Sequence, residues 1–350
     1  MFYYSDDGQR VHRSRYDALR DGPCKLYFHD REFMGVDWTT APSASLPDLY
    51  RRRAEEIRRD YDYIILAYSG GHDSSNMLET FLYNDIPVDE ILTVGALSRD
   101  DRTGSDENHN GELYHQVFPT LAKLQPRTRI TVADYAQYFD RPENLPLFAE
   151  HGPEFYKHVG SMFSINHVFW RDLRKFIGDR QGRVALLFGA DKPAFFWDDL
   201  EQRAYTTFSD GGLADYGGRP VDGNFERVNF YTALEGVDII RRQLHDILAF
   251  FQEHVLERRL FSVADFRTHY TKIIHRLIYR LRNPLTFESK KASSSVVSPR
   301  DTFLFRAIDS GIYKLFREGI YRMRDDIPDV VRGALERRHS VFTTRRYYLT

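Results

Sequence analysis

Tyr63-Ile64-Ile65-Leu66-Ala67-Tyr68-Ser69-Gly70-Gly71-His72-Asp73-Ser74 decides the reading of this chain. An unbroken apolar and aromatic run that ends at a serine and a glycine pair is how a strand covered on both faces reads. Two glycines in a row let the backbone turn tightly and approach a ligand without Cβ interference. A helix beginning near Ser74, with Met77, Leu78, Phe81 and Leu82 apolar over 75–83, turns its unpaired N–H groups and positive dipole end toward that turn. Strand, turn and helix together make an anion cradle, to which Ser69 and Ser74 add hydroxyl donors. Asp73 repels a phosphate unless a divalent cation lies between them, so it implies Mg²⁺. No Gly-x-x-x-x-Gly-Lys-Ser/Thr loop occurs, which argues against cleavage at a γ-phosphate. The bland alternative is a tight turn ahead of a capped helix.

Outward from this turn, strands and helices alternate. A strand is expected at 90–94, a helix at 112–124, a strand at 128–132, helices around 153–177 and a buried strand at 184–188. Such alternation predicts an α/β fold with a doubly wound parallel sheet. Beyond about residue 235 the pattern turns helical, with segments 237–258, 263–281 and 301–324. Residues 1–50 read as an irregular extension, with a hairpin over 25–38 turning at His29-Asp30-Arg31-Glu32, followed by a charged helix over 48–59. The expected organisation is therefore an extension (1–50), an α/β domain (51–235) and a basic helical domain (236–350). No internal repeat is present, and only 290–299 has the composition of a mobile loop.

Ser69-Gly70-Gly71-His72-Asp73-Ser74 after the first buried strand resembles the PP-loop of the N-type ATP pyrophosphatases. That superfamily includes the synthetase domain of asparagine synthetase, NAD synthetase, tRNA-lysidine synthetase, 7-cyano-7-deazaguanine synthase, the phosphoadenylylsulfate reductases and phage-type members. Leu187-Phe188-Gly189-Ala190-Asp191-Lys192-Pro193, after the later strand, is similar to the Gly-x-Asp-Glu segment of the asparagine synthetase-like domains. The resemblance covers roughly residues 60–200. It implies an adenine nucleotide alpha-hydrolase-like sheet with ATP lying across the carboxyl ends of its strands. It also implies ATP and pyrophosphate contacts from Ser69, Gly70, Gly71, His72, Asp73, Ser74 and Gly189, and Mg²⁺ held by Asp73 and Asp191. Lys192 stands where the family has Glu and would add positive charge where pyrophosphate leaves. Gly95 and Leu97, at the end of the second strand, correspond to the family's main-chain contact with adenine.

Composition and charge narrow the function classes. The chain has 350 residues and a net charge of −2, and no apolar run nears the roughly 18 residues of a membrane span. The acidic N-terminus lacks the layout of a signal peptide, so a cytoplasmic location and no membrane partner are expected. A single cysteine, Cys24, excludes a disulfide, a Cys-rich zinc site and a dithiol pair. It also falls outside the expected core and outside any motif, which disfavours sulfur transfer. Phe2 after Met1 disfavours a fused N-terminal-nucleophile glutaminase, so an amine is the expected nucleophile.

The near-neutral total hides a split: residues 251–350 hold 20 Lys and Arg against 11 Asp and Glu, and the first 250 hold 29 against 40. Lys272, Arg276 and Arg280 fall at i, i+4 and i+8 of the 263–281 helix, with Lys290 and Lys291 beyond it. This stripe could grip phosphates of ATP or of a nucleic acid; an ordinary charged outer face is the alternative. The acidic loop 100–107 misses the EF-hand spacing and reads as solvated. His109 and His115 have the wrong spacing for a metal on one helix face, and His167 reads as a core histidine.

The expected activity is adenylation of a substrate oxygen by ATP with release of pyrophosphate, then amide or amidine formation with nitrogen. The acceptor is a small molecule or a nucleobase. A PP-loop enzyme modifying DNA or RNA, and an inactive nucleotide-binding module, are the rival readings.

Overall fold

A computed structural model describes residues 2–5, 8–12, 15–22, 24–27, 30–95, 97, 110, 113–134, 173–189, 193–208, 220–279, 327–329 and 342–350. In chain order the first elements are β1 (Phe2–Ser5), β2 (Val11–His12), α1 (Arg15–Asp21), β3 (Cys24–Tyr27), α2 (Asp30–Met34) and α3 (Leu46–Asp60). Then come β4 (Tyr63–Ala67), α4 (His72–Tyr83), β5 (Glu90–Gly95), a π-helical turn (Leu113–Val117), α5 (Phe118–Leu124), β6 (Arg129–Asp134), α6 (Leu173–Ile177) and β7 (Val184–Phe188). The remainder comprises β8 (Ala194–Asp198), β9 (Arg203–Thr207), β10 (Pro220–Asp222), β11 (Phe225–Asn229), α7 (Val237–Phe251), a second π-helical turn (Gln252–Glu257), α8 (Val263–Ile278) and β12 (Tyr347–Tyr348).

The central sheet runs β10-β11-β7-β4-β5-β6. Its five strands β11, β7, β4, β5 and β6 are parallel, and β10 is an antiparallel edge. Ile64, Ile65 and Leu66 of β4 and Val184 to Leu187 of β7 have no exposed surface, as strands covered on both faces require. The chain moves outward from β4 through β5 to β6, then returns to the other side of β4 with β7 and β11. Strand order therefore reverses between β4 and β7, so the α/β class expected from the alternation is present.

Local chemistry explains the helices that frame this sheet. Ser45 caps α3, its Oγ accepting from the Asp48 N–H, with Asp48 in the first turn and Arg58 and Arg59 in the last. Leu46, Leu49, Tyr50, Arg53, Ala54 and Ile57 form the buried stripe of α3 at helical spacing. A reciprocal cap between Ser262 and Asp265 starts α8.

Several expectations are corrected. The hairpin over 25–38 does not form: β3 pairs antiparallel with β1, and residues from Asp30 onward are helical. The first 50 residues are thus not an irregular extension but carry a three-stranded sheet, β2-β1-β3. Cys24 is not outside the core; it is buried in the main hydrophobic cluster, together with Phe33 and Trp38. The 112–124 helix is broken into a π-helical turn and α5. In the C-terminal part α7 and α8 are helical as expected, but β12 pairs with β9 to give a β12-β9-β8 sheet. Trp38 and Tyr347 meet with ring centroids 5.2 Å apart, so the two ends of the chain share one core. The acidic loop, His109, His167 and the 301–324 helix lie outside the described residues. Among the described residues, no helix is long and apolar enough to cross a membrane.

Candidate functional site

The glycine turn sits at the carboxyl end of β4, beside the reversal of strand order. Gly70 has φ +70°, and a Cβ there would lie 2.9 Å from Gln116 Cβ and 3.2 Å from the Val117 nitrogen. Only glycine accommodates both that dihedral and that neighbour. The neighbour is the Leu113–Val117 π-helical turn, an irregularity of the kind that recurs at functional sites. The same turn closes the end of β5: a Cβ on Gly95 would meet Leu113 Cδ1 at 2.3 Å and Asn110 Oδ1 at 3.1 Å. Gly95 therefore lies in the neighbourhood of the loop with its Cα face covered. Leu97 is half-buried against the core.

The helix starts earlier than its sequence pattern implies. α4 begins at His72, with Gly71 as N-cap, so Asp73 and Ser74 belong to its first turn. Gly71 has no side chain to cap this turn. The serines brace the loop itself. Ser74 Oγ donates to the Gly71 carbonyl at 3.2 Å and accepts from the Ser69 N–H at 3.3 Å, and Ser69 Oγ accepts from the Gly71 N–H at 3.4 Å. Tyr68 reaches Ser75 Oγ at 3.2 Å beneath the turn.

Gly189, at the end of β7, brings the second motif to the first. A Cβ there would lie 2.9 Å from the Asp73 carbonyl oxygen and 3.3 Å from the Ser74 nitrogen. Asp191 and Lys192 themselves lie outside the described residues. Asp73, Ser69 to Ser74 and Gly189 are thus assembled at one point.

Two tyrosines far away in sequence complete the surroundings, and sequence reasoning missed their role. Tyr279 donates its hydroxyl to Asp73 Oδ1. Tyr231, just after β11, donates to the Asp73 carbonyl at 3.0 Å and accepts from Asn76 Nδ2 at 2.8 Å. Tyr50 stands behind them, its ring 5.6 Å from Tyr231, donating to the Ile278 carbonyl at 2.9 Å. Burial, more than the nearby Asp73 charge, pushes Tyr231 and Tyr279 well above the ordinary phenol range, and burial raises Tyr50 as well. All three phenols stay protonated and keep their donors at neutral pH. His72 and His275 face each other at 4.6 Å between ring centroids at the same corner. The signal that could have found Tyr279 is its place directly after the buried Ile278, where α8 ends.

The basic stripe is shorter than expected. Lys272 and Arg276 are exposed on α8, but the helix closes at Ile278 and Tyr279 is extended, which ends the i, i+4, i+8 register. Arg280, Lys290 and Lys291 lie outside the described residues. Tyr270, on the same helix, accepts from the Phe195 N–H at 2.9 Å and donates to the Pro193 carbonyl at 2.7 Å.

Two other features lie outside this cluster of motifs. Among the described residues, His12, Asp21 and Cys24 bring their ligand atoms within 4.8 Å of one another. Asp21 is already engaged by Arg10 and by His12 Nε2 at 3.0 Å, and Cys24 Sγ donates to the Ala18 carbonyl, so the group reads as a tie between β2, α1 and β3. A cleft of about 250 Å³ opens between α3 and α4, lined by Asp48, Arg51, Asn76, Glu79 and Ile278 among others. Asn76 links it to Tyr231.

The chemistry of the carboxyl-end cluster suits an anion held by main-chain N–H groups beside a carboxylate able to take a hard cation. Gly71 contributes no capping side chain, and the absent Cβ of Gly189 lets the second loop close on the first turn of α4, so the residues present fit a metal-bound phosphate group. Compared with the known protein-family models, the curated proteins and the solved structures, this chain finds no match.

Proposed function

We propose that this chain is a PP-loop ATP pyrophosphatase that adenylates a substrate oxygen and then joins the activated group to nitrogen. One observation carries the reading: Gly189 of the second motif lies against the main chain of Asp73 and Ser74 in the first. The reversal of strand order between β4 and β7 supports it, because open α/β sheets bind ligands outside the carboxyl ends of their strands at such a point. The finer fold that accompanies this reading is the adenine nucleotide alpha-hydrolase-like winding with a helical C-terminal domain.

In this mechanism the first-turn N–H groups of α4, those of His72, Asp73 and Ser74, and the hydroxyl of Ser69 hold the phosphates of ATP, while the Ser74 hydroxyl, donated to the Gly71 carbonyl, braces the loop that presents them. Asp73, with Asp191, would hold Mg²⁺, which when bound neutralises charge developing on pyrophosphate. A carboxylate or amide-like oxygen of the substrate forms a bond to the α-phosphorus. The bond from that phosphorus to the bridging oxygen breaks, and its electron pair leaves with pyrophosphate. The donors do not have to reorganise during this step, because the helix has already fixed them. Lys192 adds charge on the leaving side. An amine then attacks the adenylated carbon, loses a proton and expels AMP, leaving an amide or amidine.

The exposed Lys272 and Arg276 favour one second reading, in which the acceptor is a nucleobase in DNA or RNA held by α8. Chromatography of nucleotide products across amino acids, nucleosides and nucleic acids tests both. AMP and pyrophosphate are expected with one acceptor class. ADP as the sole product, or no ATP binding at all, overturns the reading, and ATP binding without turnover in every acceptor class would make the chain an inactive nucleotide-binding module.

A further inference from the structure

We propose that the outer face of the β12-β9-β8 sheet is a docking platform for single-stranded nucleic acid, whose bases stack on a row formed by Phe196, Tyr205 and Tyr348. The proposal stands apart from the ATP reading and uses none of its residues.

Side chains alternate between the two faces along these strands. Phe195 of β8, Ala204 and Thr206 of β9 and Tyr347 of β12 turn inward and are buried. The outward aromatics fall in register: Phe196 pairs with Tyr205, and Tyr205 pairs with Tyr348. The Phe196 and Tyr205 rings are stacked, with centroids 5.2 Å apart and planes 20° from parallel, and Tyr348 follows 5.9 Å from Tyr205. Strands lie about 4.8 Å apart, so the row is about 10 Å wide. Its open end is Phe196, 40% exposed. An aromatic row of this kind on a sheet face can stack two or three bases.

Arginines complete the surface. Arg346 lies 4.6 Å over the Tyr205 ring, and Arg203 lies 4.1 Å over the Tyr348 ring. Arg346 also donates to Asp198 Oδ2 at 2.7 Å, and Arg203 Nε donates to the Thr350 carbonyl at 2.8 Å, which keeps both guanidiniums in place. Guanidinium planes are themselves stacking surfaces for bases, and they bring positive charge to phosphates. Two arginines against one carboxylate, Asp198, leave this face net positive. In the hairpin turn Asp199 is met by Arg267 at 3.7 Å, so the exposed Glu201 marks the side that a phosphate backbone avoids.

The combination selects the partner. A simple polyanion uses the arginines and leaves the rings idle, and a duplex keeps its base faces inside its own stack. Single strands use both. Strand pairing with a second copy is blocked at the outer edge of β8, where α8 covers the main chain. Tyr270 accepts from the Phe195 N–H at 2.9 Å and donates to the Pro193 carbonyl at 2.7 Å, and Arg267 donates to the Trp197 carbonyl at 3.3 Å. The hairpin therefore offers its face and not its edge.

The test uses the full-length protein and a labelled oligothymidylate of about twelve residues, within the usual range of single-strand site sizes, read by fluorescence anisotropy at low salt. Binding is expected to be at least about tenfold tighter than to a duplex of the same length, because only the single strand offers its base faces. Salt should weaken it with a log–log slope of about −0.7 per neutralised phosphate. Phe196→Ala should lower affinity about 5–150-fold, the loss of one stacked base, and should fold because the ring stands outside the core. Leu200→Ala removes the 95% exposed apolar side chain of the same hairpin and should change affinity by less than about twofold. Ultraviolet crosslinking of the oligonucleotide to wild type, mapped by peptide mass, should land on residues 194–207 and 345–350, and it needs no variant. The proposal is overturned by no binding, by equal affinity for the duplex, or by full competition from inorganic polyphosphate at equal phosphate concentration. Unchanged affinity in Phe196→Ala, an equal loss in Leu200→Ala, or crosslinks confined to α8 overturn it as well.

Discussion

The two ends of the parallel sheet are built from different chemistry. At the amino ends of the strands, charges ranging from the fully buried Glu90 to the exposed Arg183 are met by charged or polar partners. Glu90, with no exposed surface, accepts from Arg180 at 2.9 and 3.1 Å, from Tyr63 at 3.0 Å and from Thr131 at 2.5 Å. Arg183 and Glu226 pair through two hydrogen bonds of 2.9 and 2.8 Å, and Asp89 takes Arg58 at 2.6 Å and the Ile64 N–H at 2.7 Å. At the carboxyl ends, the contacts are made by glycines that admit close backbone approach and by buried tyrosines that donate single hydrogen bonds. The first arrangement leaves its carboxylates nothing further to bind. The second meets Asp73 with two phenols from distant segments, Tyr279 at Oδ1 and Tyr231 at the carbonyl.

The largest expected effect breaks the amino end. Glu90→Ala strands the Arg180 guanidinium, whose side chain is only 10% exposed, without its carboxylate. Removing one partner of a buried pair costs about 3–5 kcal/mol, because the remaining charge stays desolvated. Urea unfolding measures this loss. ATP binding by the folded fraction is expected to be unchanged, since the carboxyl end shares none of these bonds; a parallel loss of binding would erase the distinction between the two ends.

Gly189→Ala breaks the carboxyl end. The new Cβ must enter within 2.9 Å of the Asp73 carbonyl oxygen and 3.1 Å of its carbon, and a backbone pair cannot yield as a side-chain tip can. Overpacking of this kind costs about 1–3 kcal/mol. Here the signature reverses: a modest fall in melting temperature accompanies a large loss of ATP binding. A fully functional alanine variant would show that the two motifs need not touch.

How much of this was legible in the sequence follows the same division. β4 and β7 are continuous apolar runs, β5 adds Ile91, Leu92 and Val94, and the glycine pair marks the turn, so the site's first half could be read directly. β11 could not. Its Phe225-Glu226-Arg227-Val228-Asn229 carries two charges, and only the fold shows Glu226 paired with Arg183 and Arg227 lying 4.2 Å over the Phe188 ring. β12 has no local signal, because its partner β9 lies far back along the chain. Tyr231 and Tyr279 likewise look like ordinary core aromatics until α8 and the segment after β11 bring their hydroxyls to Asp73. Asp191 and Lys192 lie outside the described residues and rest on sequence alone.

Opposite extremes of pH should loosen the two ends. Arg183 holds the Glu226 carboxyl below its ordinary range, so that contribution is present above the ordinary glutamate pKa and is lost as pH falls below it. Burial raises Tyr50, Tyr231 and Tyr279, so the native state keeps these protons when the unfolded chain loses them. Their contribution is whole below about pH 10, the unfolded phenol value, and declines above it. Tyr279→Phe removes one such proton and should flatten the fall of stability above pH 10 by up to about 1.4 kcal/mol per pH unit. Denaturant titrations at pH 9, 10 and 11 check this; an unchanged slope would mean that the phenol ionises in the folded state.

The smallest expected effect lies outside both ends, on the exposed face of α8. Lys272 and Arg276 are one turn apart and solvent-exposed, so the double alanine variant loses no burial and keeps good helix formers. Stability should move by no more than about 0.5 kcal/mol. If the pair contacts phosphates, affinity for duplex DNA falls with salt, and the variant lowers the log–log slope by up to about 1.8, near 0.9 per neutralised phosphate. ATP binding should be untouched, because Tyr279 and Tyr270, not the basic residues, join this helix to the loops. If instead wild type shows no retention on DNA or RNA at low salt, the stripe is a solvated face. The same helix would then serve the site only from its buried side, and a small-molecule acceptor would be the reading that stands.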